Sequence, residues 1–342
     1  MNVKDQRFPL FDSLRAIAAL TVVAYHLAFF TGHFGKFAAQ LNIGVPIFFL
    51  VSAFLLYRPF VRARAADEPL PATGRYFQRR FLRIVPAYWV VVLVGGVVLG
   101  LSVVDSLGKI ITYLTFTQVY DNAVLFGGNG IGHTWTLCVE VTFYILLPIW
   151  ARIRGPLLAL FLAGVLWNLF VVDYVNGFAQ ISWKVATLPG YLDQFAIGMA
   201  LAVVSVRKPD LRIPPAWVCW LAALIGYIVL CELAPHPGRL IAVGTHELRA
   251  LIGLALLLPA VYDTERVEPV RRLLGQPWLL WVGTVSYGLY LWHPPIMRKL
   301  LDAGMSGVPY ALVSVALSIG AAAASWYIVE RNVIKLGRRR QT

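Results

Sequence analysis

The stretch LFDSLRAIAALTVVAYHLAFF, residues 10–30, decides how this chain must fold. It is predominantly apolar and, at about 1.5 Å per residue, long enough to cross a hydrocarbon core about 30 Å thick. Two of its residues do not suit that setting: Arg15 and His26. They are eleven positions apart, three turns of a helix, so both leave the same face, about 16 Å apart along the axis. A charge at bilayer depth costs roughly 3 kcal/mol or more, and an ionisable pair on one face of a span is by default a functional site. For Arg15 alone, snorkelling to the interface beside Asp12 at i, i+3 is an equal explanation. The aligned pair calls for a common purpose.

Outward from that stretch the composition agrees. Of 342 residues, 59% are hydrophobic and 14% charged, and the mean hydropathy is +0.70. These values exclude a globular domain with a single anchor. Spans are read at residues 9–30, 41–57, 84–104, 134–151, 156–172, 186–206, 215–233, 247–262, 278–297 and 308–328. The expectation is an all-α, polytopic integral membrane bundle of about ten transmembrane helices, one domain over residues 1–342 with no soluble domain fused to it. With both termini cytoplasmic, 22 of the 30 basic residues fall on inner connections, as the positive-inside rule requires. The net charge of +13 then reflects topology and anionic lipid, and no nucleic-acid partner is needed. The first run is too long for a cleavable signal peptide. Cys138, Cys219 and Cys231 all lie in predicted spans and suggest neither a disulfide framework nor a metal site.

Two connections stand out. The stretch from Arg58 to Arg83 carries seven arginines against Asp67 and Glu68. Arg80 and Arg83 are i, i+3 neighbours, spaced to grip phosphate oxygens bidentately. Arg58, Arg62 and Arg64 read as ordinary topology and headgroup contacts. The second connection, about residues 105–132, is glycine-rich at Gly127, Gly128 and Gly130, with an amphiphilic piece at 109–120. A lid would look like this, and so would a plain connector.

Polar residues recur within the later spans. His133, Glu140 and Tyr144 fall at i, i+7 and i+11 with Thr136 between, and Ser286, Tyr290 and His293 repeat the pattern just before Pro294-Pro295, which should break or kink the helix. Tyr287 and Trp292 look like lipid-interface aromatics. A carboxylate at Glu140 facing His26 would orient its imidazole. Counted from the entry points, His26, His133, Glu140 and His293 fall in the outer half, whereas Arg15, Arg80 and Arg83 fall at the inner boundary. A polyanionic donor whose reactive end lies deep in the protein fits this polarity, and coenzyme A thioesters have that shape.

The segments FDSLRAIAALTVVAYH (11–26), FFLVSAFLLYRPF (48–60), RYFQRRFLRIVPAYW (75–89), HTWTLCVEVTFYILLP (133–148), SYGLYLWHPPI (286–296) and SWYIVER (325–331) together resemble the membrane-bound acyltransferase-3 family of bacterial O-acyltransferases. The resemblance spans the whole chain in order. It implies a ten-helix enzyme of the cell membrane that moves acetyl or a similar group from cytoplasmic acyl-CoA to a hydroxyl of a glycan, glycolipid or glycoside, with no metal. The family's Arg-x10-His motif maps onto Arg15 and His26, its Arg-x-x-Arg onto Arg80 and Arg83, and its Trp-Ser/Thr-x-x-x-Glu element onto Trp135, Thr136 and Glu140. The expected assignments are His26 and Glu140 for catalysis, Arg15, Arg80 and Arg83 for the donor, and Trp135, His133, Tyr144, Tyr290 and His293 for the acceptor. Ser52-Ala53-Phe54 stands where the family usually has Ser-Gly-Phe, and Val141-Thr142 where Glu-Gln is common. Neither departure touches those residues. A transporter or flippase would also bury His, Glu and Arg, but no internal repeat or matched pair of broken helices supports one. A non-catalytic scaffold leaves the convergence of costly polar groups unexplained.

Overall fold

The computed structural model describes Phe8 and residues 10–33, 35–121, 131–153, 155–180, 182–262 and 269–339, without the side chains of residues 178, 338 and 339. The Gly127–Gly130 run, and Lys4, Arg7, Arg154, Arg266 and Arg340, lie outside the described residues.

Thirteen α-helices carry the described chain: α1 (Leu10–Thr31), α2 (Gly44–Ala65), α3 (Thr73–Val97), α4 (Leu107–Leu114), α5 (Trp135–Trp150), α6 (Leu157–Phe170), α7 (Leu192–Arg207), α8 (Ala216–Leu233), α9 (Arg239–Val261), α10 (Pro269–Leu274), α11 (Pro277–Asp302), α12 (Gly307–Ala324) and α13 (Arg331–Arg339). A π-helical turn, Ser325–Glu330, joins the last two. The only described strands, Tyr174–Val175 and Phe178–Ala179, make a two-residue antiparallel hairpin. Each predicted span falls mainly on a helix, although α3 ends at Val97, seven residues short of the end of the span read at 84–104. Seven described helical segments are long and apolar enough to cross a membrane by length and composition, which makes this a polytopic helix bundle. By comparison α5 and α6 are short, with 16 and 14 residues.

Three expectations change. The arginine-rich connection is mostly helix: α2 runs on to Ala65 and α3 already begins at Thr73, because the charged stems extend both helices beyond the apolar core. Arg58, expected at the headgroups, is instead buried; its Nε donates to Ser205 Oγ at 3.2 Å and its guanidinium stacks on Phe8 at 4.8 Å. Nor do Pro294 and Pro295 break α11, which continues to Asp302. Neighbouring helices shield the carbonyls that the prolines leave unpaired, so a bundle tolerates them.

Helix α1 lies along α11, and α2 along α7. Small residues allow the approach: Ala16, Ala18 and Ala19 of α1 are fully buried, and a Cβ on Gly283 of α11 would stand 1.8 Å from the Asp12 carbonyl oxygen. Apolar side chains have little drive to leave lipid, so close backbone packing of this kind is what holds membrane helices together. The fit fixes Asp12 and Arg15 against α11.

Candidate functional site

A cavity of about 770 Å³ runs up the bundle between α1, α2, α3, α5 and α11. One end is cationic: Arg15, Arg79, Arg80 and Arg83 line it. Arg15 Nη1 lies 3.8 Å from Asp12 Oδ1, and Arg83 stacks on Trp326 with 5.8 Å to the ring centroid. Trp326 belongs to the π-helical turn, whose extra residue swings that ring to the cavity mouth. No carboxylate lies within ion-pair distance of Arg80 or Arg83 among the described residues. Such a cluster of guanidiniums is built for an anion with several oxygens.

Halfway up stands Glu140. Its Oε1 accepts from Ser52 Oγ at 3.1 Å and its Oε2 from the Tyr144 hydroxyl at 2.9 Å, while Tyr144 OH also reaches Ser52 Oγ at 3.2 Å. The i, i+4 spacing on α5 makes the Glu140–Tyr144 pair, as the sequence pattern implied. Ser52 was not singled out for this role; the motif around it was the available signal. The carboxylate does not meet His26, so the expected orienting contact is absent. Tyr290 and Thr136 line the same cavity as Glu140.

Those two residues close the upper end. Tyr290 OH and Thr136 Oγ1 are 2.6 Å apart, and the same hydroxyl donates to the His133 carbonyl. Behind them three histidines converge from α1, the turn before α5, and α11. Ring centroids are 4.9 Å apart for His26 and His293, 5.3 Å for His133 and His293, and 6.0 Å for His26 and His133. His293 Nδ1 lies 2.9 Å from Leu289 O, His26 Nδ1 lies 3.0 Å from Val22 O, and His293 Nε2 lies 3.1 Å from His26 Nδ1. Carbonyls can only accept, so both Nδ1 atoms carry the hydrogen in the neutral rings, an assignment made from the network. His293 Nε2 then accepts a share of the His26 Nδ1 hydrogen. That leaves the His26 Nε2 lone pair without a partner among the described residues. Both ring nitrogens of His133 are buried and unpartnered.

The structure thus gathers Arg15, Arg80, Arg83, Glu140, Tyr144 and Tyr290 around one cavity, and His26, His133 and His293 in a cluster against its end. Trp135 belongs to neither; it lines a second, smaller cavity. Tyr287 is no interface aromatic: it lines the main cavity and donates to Ile84 O at 2.8 Å. Trp292 also departs from expectation, its buried Nε1 having no partner. One helical face cannot tell lipid from a neighbouring helix, so the sequence could not separate these cases.

Fold and cavity together define a polytopic membrane protein with a cationic internal cleft leading to a cluster of imidazoles, His133 and His293 buried and His26 half-buried. The acyltransferase-3 model, described as an acyltransferase domain, matches residues 9–330, and the chain belongs to that family. It is similar to peptidoglycan O-acetyltransferase OatA of Listeria monocytogenes, 24% identical over 96% of this chain and 56% of that protein. It is also similar to the exopolysaccharide production protein ExoZ of Rhizobium meliloti (27%, covering 93% of this chain and 96% of ExoZ) and to acyltransferase MdmB of Streptomyces mycarofaciens (26%, covering 98% and 94%). The chain spans about half the length of the peptidoglycan relative. No solved structure matches.

Proposed function

We propose that this protein transfers an acyl group, acetyl in the first instance, from acyl-CoA on the cytoplasmic side to a hydroxyl of a carbohydrate or glycoside. One observation carries the reading: a single cavity leads from an arginine cluster, in which Arg80 and Arg83 have no carboxylate within ion-pair distance among the described residues, to a barrier of two hydroxyls, beyond which lies an imidazole whose Nε2 has no described partner. Arg80, Arg83 and Arg15 bind the donor phosphates, and the thin acyl arm extends past Glu140, whose carboxylate balances Arg15 and Arg80 across the cavity. Tyr290 stands between cavity and histidines, so its side chain turns aside as the thioester reaches His26. Neutral His26 takes the acceptor proton through Nε2 while the hydroxyl oxygen attacks the thioester carbon. The thiolate leaves and is protonated, releasing free coenzyme A. His293 steadies the resulting imidazolium by accepting from Nδ1–H. The relatives' names favour a polysaccharide, peptidoglycan or small glycoside acceptor.

The domain assignment, residues 1–342 as one transferase unit in the cell membrane with both ends inside, is part of the same proposal. Its test is turnover of labelled acetyl-CoA by purified protein with peptidoglycan fragments, exopolysaccharide and a macrolide glycoside as acceptors. Label in the acceptor supports the reading. If acetyl-CoA neither binds nor turns over, while proteoliposomes move an unmodified glycoside across the bilayer, the transporter alternative replaces it.

A further inference from the structure

The second cavity has no part in the scheme above. It holds about 330 Å³ and opens among α5, α7, α9, the short hairpin and the 3₁₀ helix Ala38–Ile43. Chain direction fixes its place. Gln40 follows the end of α1, Trp135 starts α5 and Arg249 lies in the first half of α9, all at the end of the bundle that holds His26 and His133. The arginines of the donor mouth lie at the opposite end, at the starts of α1 and α3.

Its lining has two chemistries. Trp135, Tyr191 and His246 form a run of rings, with centroids 5.5 Å apart for the first pair and 5.4 Å for the second. Against them stand amides and one cation. Arg249 donates from Nη2 to Gln40 Oε1 at 2.6 Å. Its Nε is buried and unpartnered, and no carboxylate pairs with it among the described residues. The nearby acids are otherwise disposed. Asp193 lies 3.2 Å from His246 Nε2 and accepts from Asn168 and from the Gln194 backbone, and Glu247, grouped with Asp193 and His246, has a buried Oε1 without any hydrogen bond. Gln194, fully buried, also presents an Oε1 without a partner, and Asn42 an unpartnered Oδ1.

A guanidinium withdrawn from water without a counter-ion is costly, and its natural complement is an anion brought by a ligand. Ring faces suit the C–H face of a pyranose. Unpartnered amide oxygens suit its hydroxyl hydrogens. The volume suits one sugar ring and a short extension. We propose that this pocket binds a glycosyl unit carrying a carboxylate or phosphate, with Arg249 on the anionic group, Trp135 and Tyr191 on the ring face, and Asn42 and Gln194 on hydroxyls. The pocket shares Val45 with the main cavity, and Trp135 is the neighbour of Thr136 in its end wall. A sugar held here therefore lies beside the wall behind which His26 stands. Naming that sugar the acceptor rests on the transfer reading; its binding does not.

The test is equilibrium binding to the detergent-purified full chain of three probes: methyl β-D-glucuronide, glucose 1-phosphate and neutral methyl β-D-glucoside. At least one anionic probe is expected to bind about tenfold more tightly than the neutral one, the size of a charge-assisted hydrogen bond. The two anionic arms separate carboxylate from phosphate. Arg249→Leu should abolish the preference, Arg249→Lys should keep part of it, and Trp135→Ala should weaken all three, in variants whose melting matches the parent. Equal affinity for neutral and anionic probes, no binding of any, or a preference that survives Arg249→Leu overturns the proposal. Acetyl-CoA binding by the parent is measured alongside. If acetyl-CoA binds and the sugar preference is absent, the pocket assignment fails and the transfer reading stands. If the preference is present and acetyl-CoA does not bind, the reverse holds.

Discussion

His26 owes its assigned role to which of its nitrogens is left over. Two carbonyl acceptors fix the hydrogens on Nδ1 of both paired imidazoles, and the remaining lone pair on His26 Nε2 is the one base in the cluster with both a fixed tautomer and no described partner. His26→Ala should therefore lower kcat by about 10²- to 10⁴-fold, the usual worth of a general base, with little change in melting because the ring is only half-buried. Activity within a few-fold of the parent would remove His26 from the chemistry. At the other end of the cavity, Arg80→Lys with Arg83→Lys keeps the net charge and loses the planar fork. The KM for acetyl-CoA should rise by about tenfold with kcat nearly unchanged, as when only ground-state binding is lost. An unaltered KM would reduce these arginines to topology.

At the scale of helices, the contact of α1 with α11 carries the site. A Cβ on Gly283 would stand 1.8 Å from the Asp12 carbonyl oxygen, so Gly283→Ala forces the helices apart at the level of Asp12 and Arg15. Overpacking of this kind costs about 1–3 kcal/mol. Lower melting in detergent is expected, together with weaker acetyl-CoA binding as Arg15 shifts. Gly320→Ala on α12, with nothing within 4 Å of its added Cβ, serves as the control. Equal melting of the two variants would mean that the close approach does not hold the site. The prolines of α11 belong to this scale too. A local rule says Pro294-Pro295 should interrupt a helix, yet the surrounding bundle keeps it continuous and holds His293 beside His26.

For the whole molecule the decisive property is polarity. The arginine mouth and the second pocket lie at opposite ends, so on the proposed reading two substrates approach from opposite faces and meet at the histidine wall. In sealed vesicles of known orientation, acetyl-CoA should be consumed only when supplied to the face bearing Arg79 and Arg80. An anionic glycoside acceptor should be acetylated best from the other face. Consumption from the sugar face alone would overturn topology and arginine assignment together. A cytoplasmic acceptor would overturn only the second half.

The sequence by itself determined the class and most of the cast. Length and hydropathy demand a bundle of spans, because each unpaired backbone group in lipid must be satisfied inside a helix. The cost of intramembrane charge singled out Arg15, His26, Glu140 and His293. Glu140 and Tyr144 were legible as a pair because one helical face joins them. What the sequence could not carry is which face meets which. Periodicity gives the angle of a side chain about its own helix and says nothing about the neighbour opposite. Only the packing of α1 on α11 paired His26 with His293 rather than with Glu140, and only that of α2 on α5 gave Glu140 to Ser52. Likewise Tyr287 turned from a lipid-facing ring into a cavity wall, Trp135 moved to a separate pocket, and Arg249 became a half-buried cation without a carboxylate partner among the described residues. Each was settled by long-range contact between helices distant in sequence, where close backbone approach and the satisfaction of buried polar groups select one arrangement.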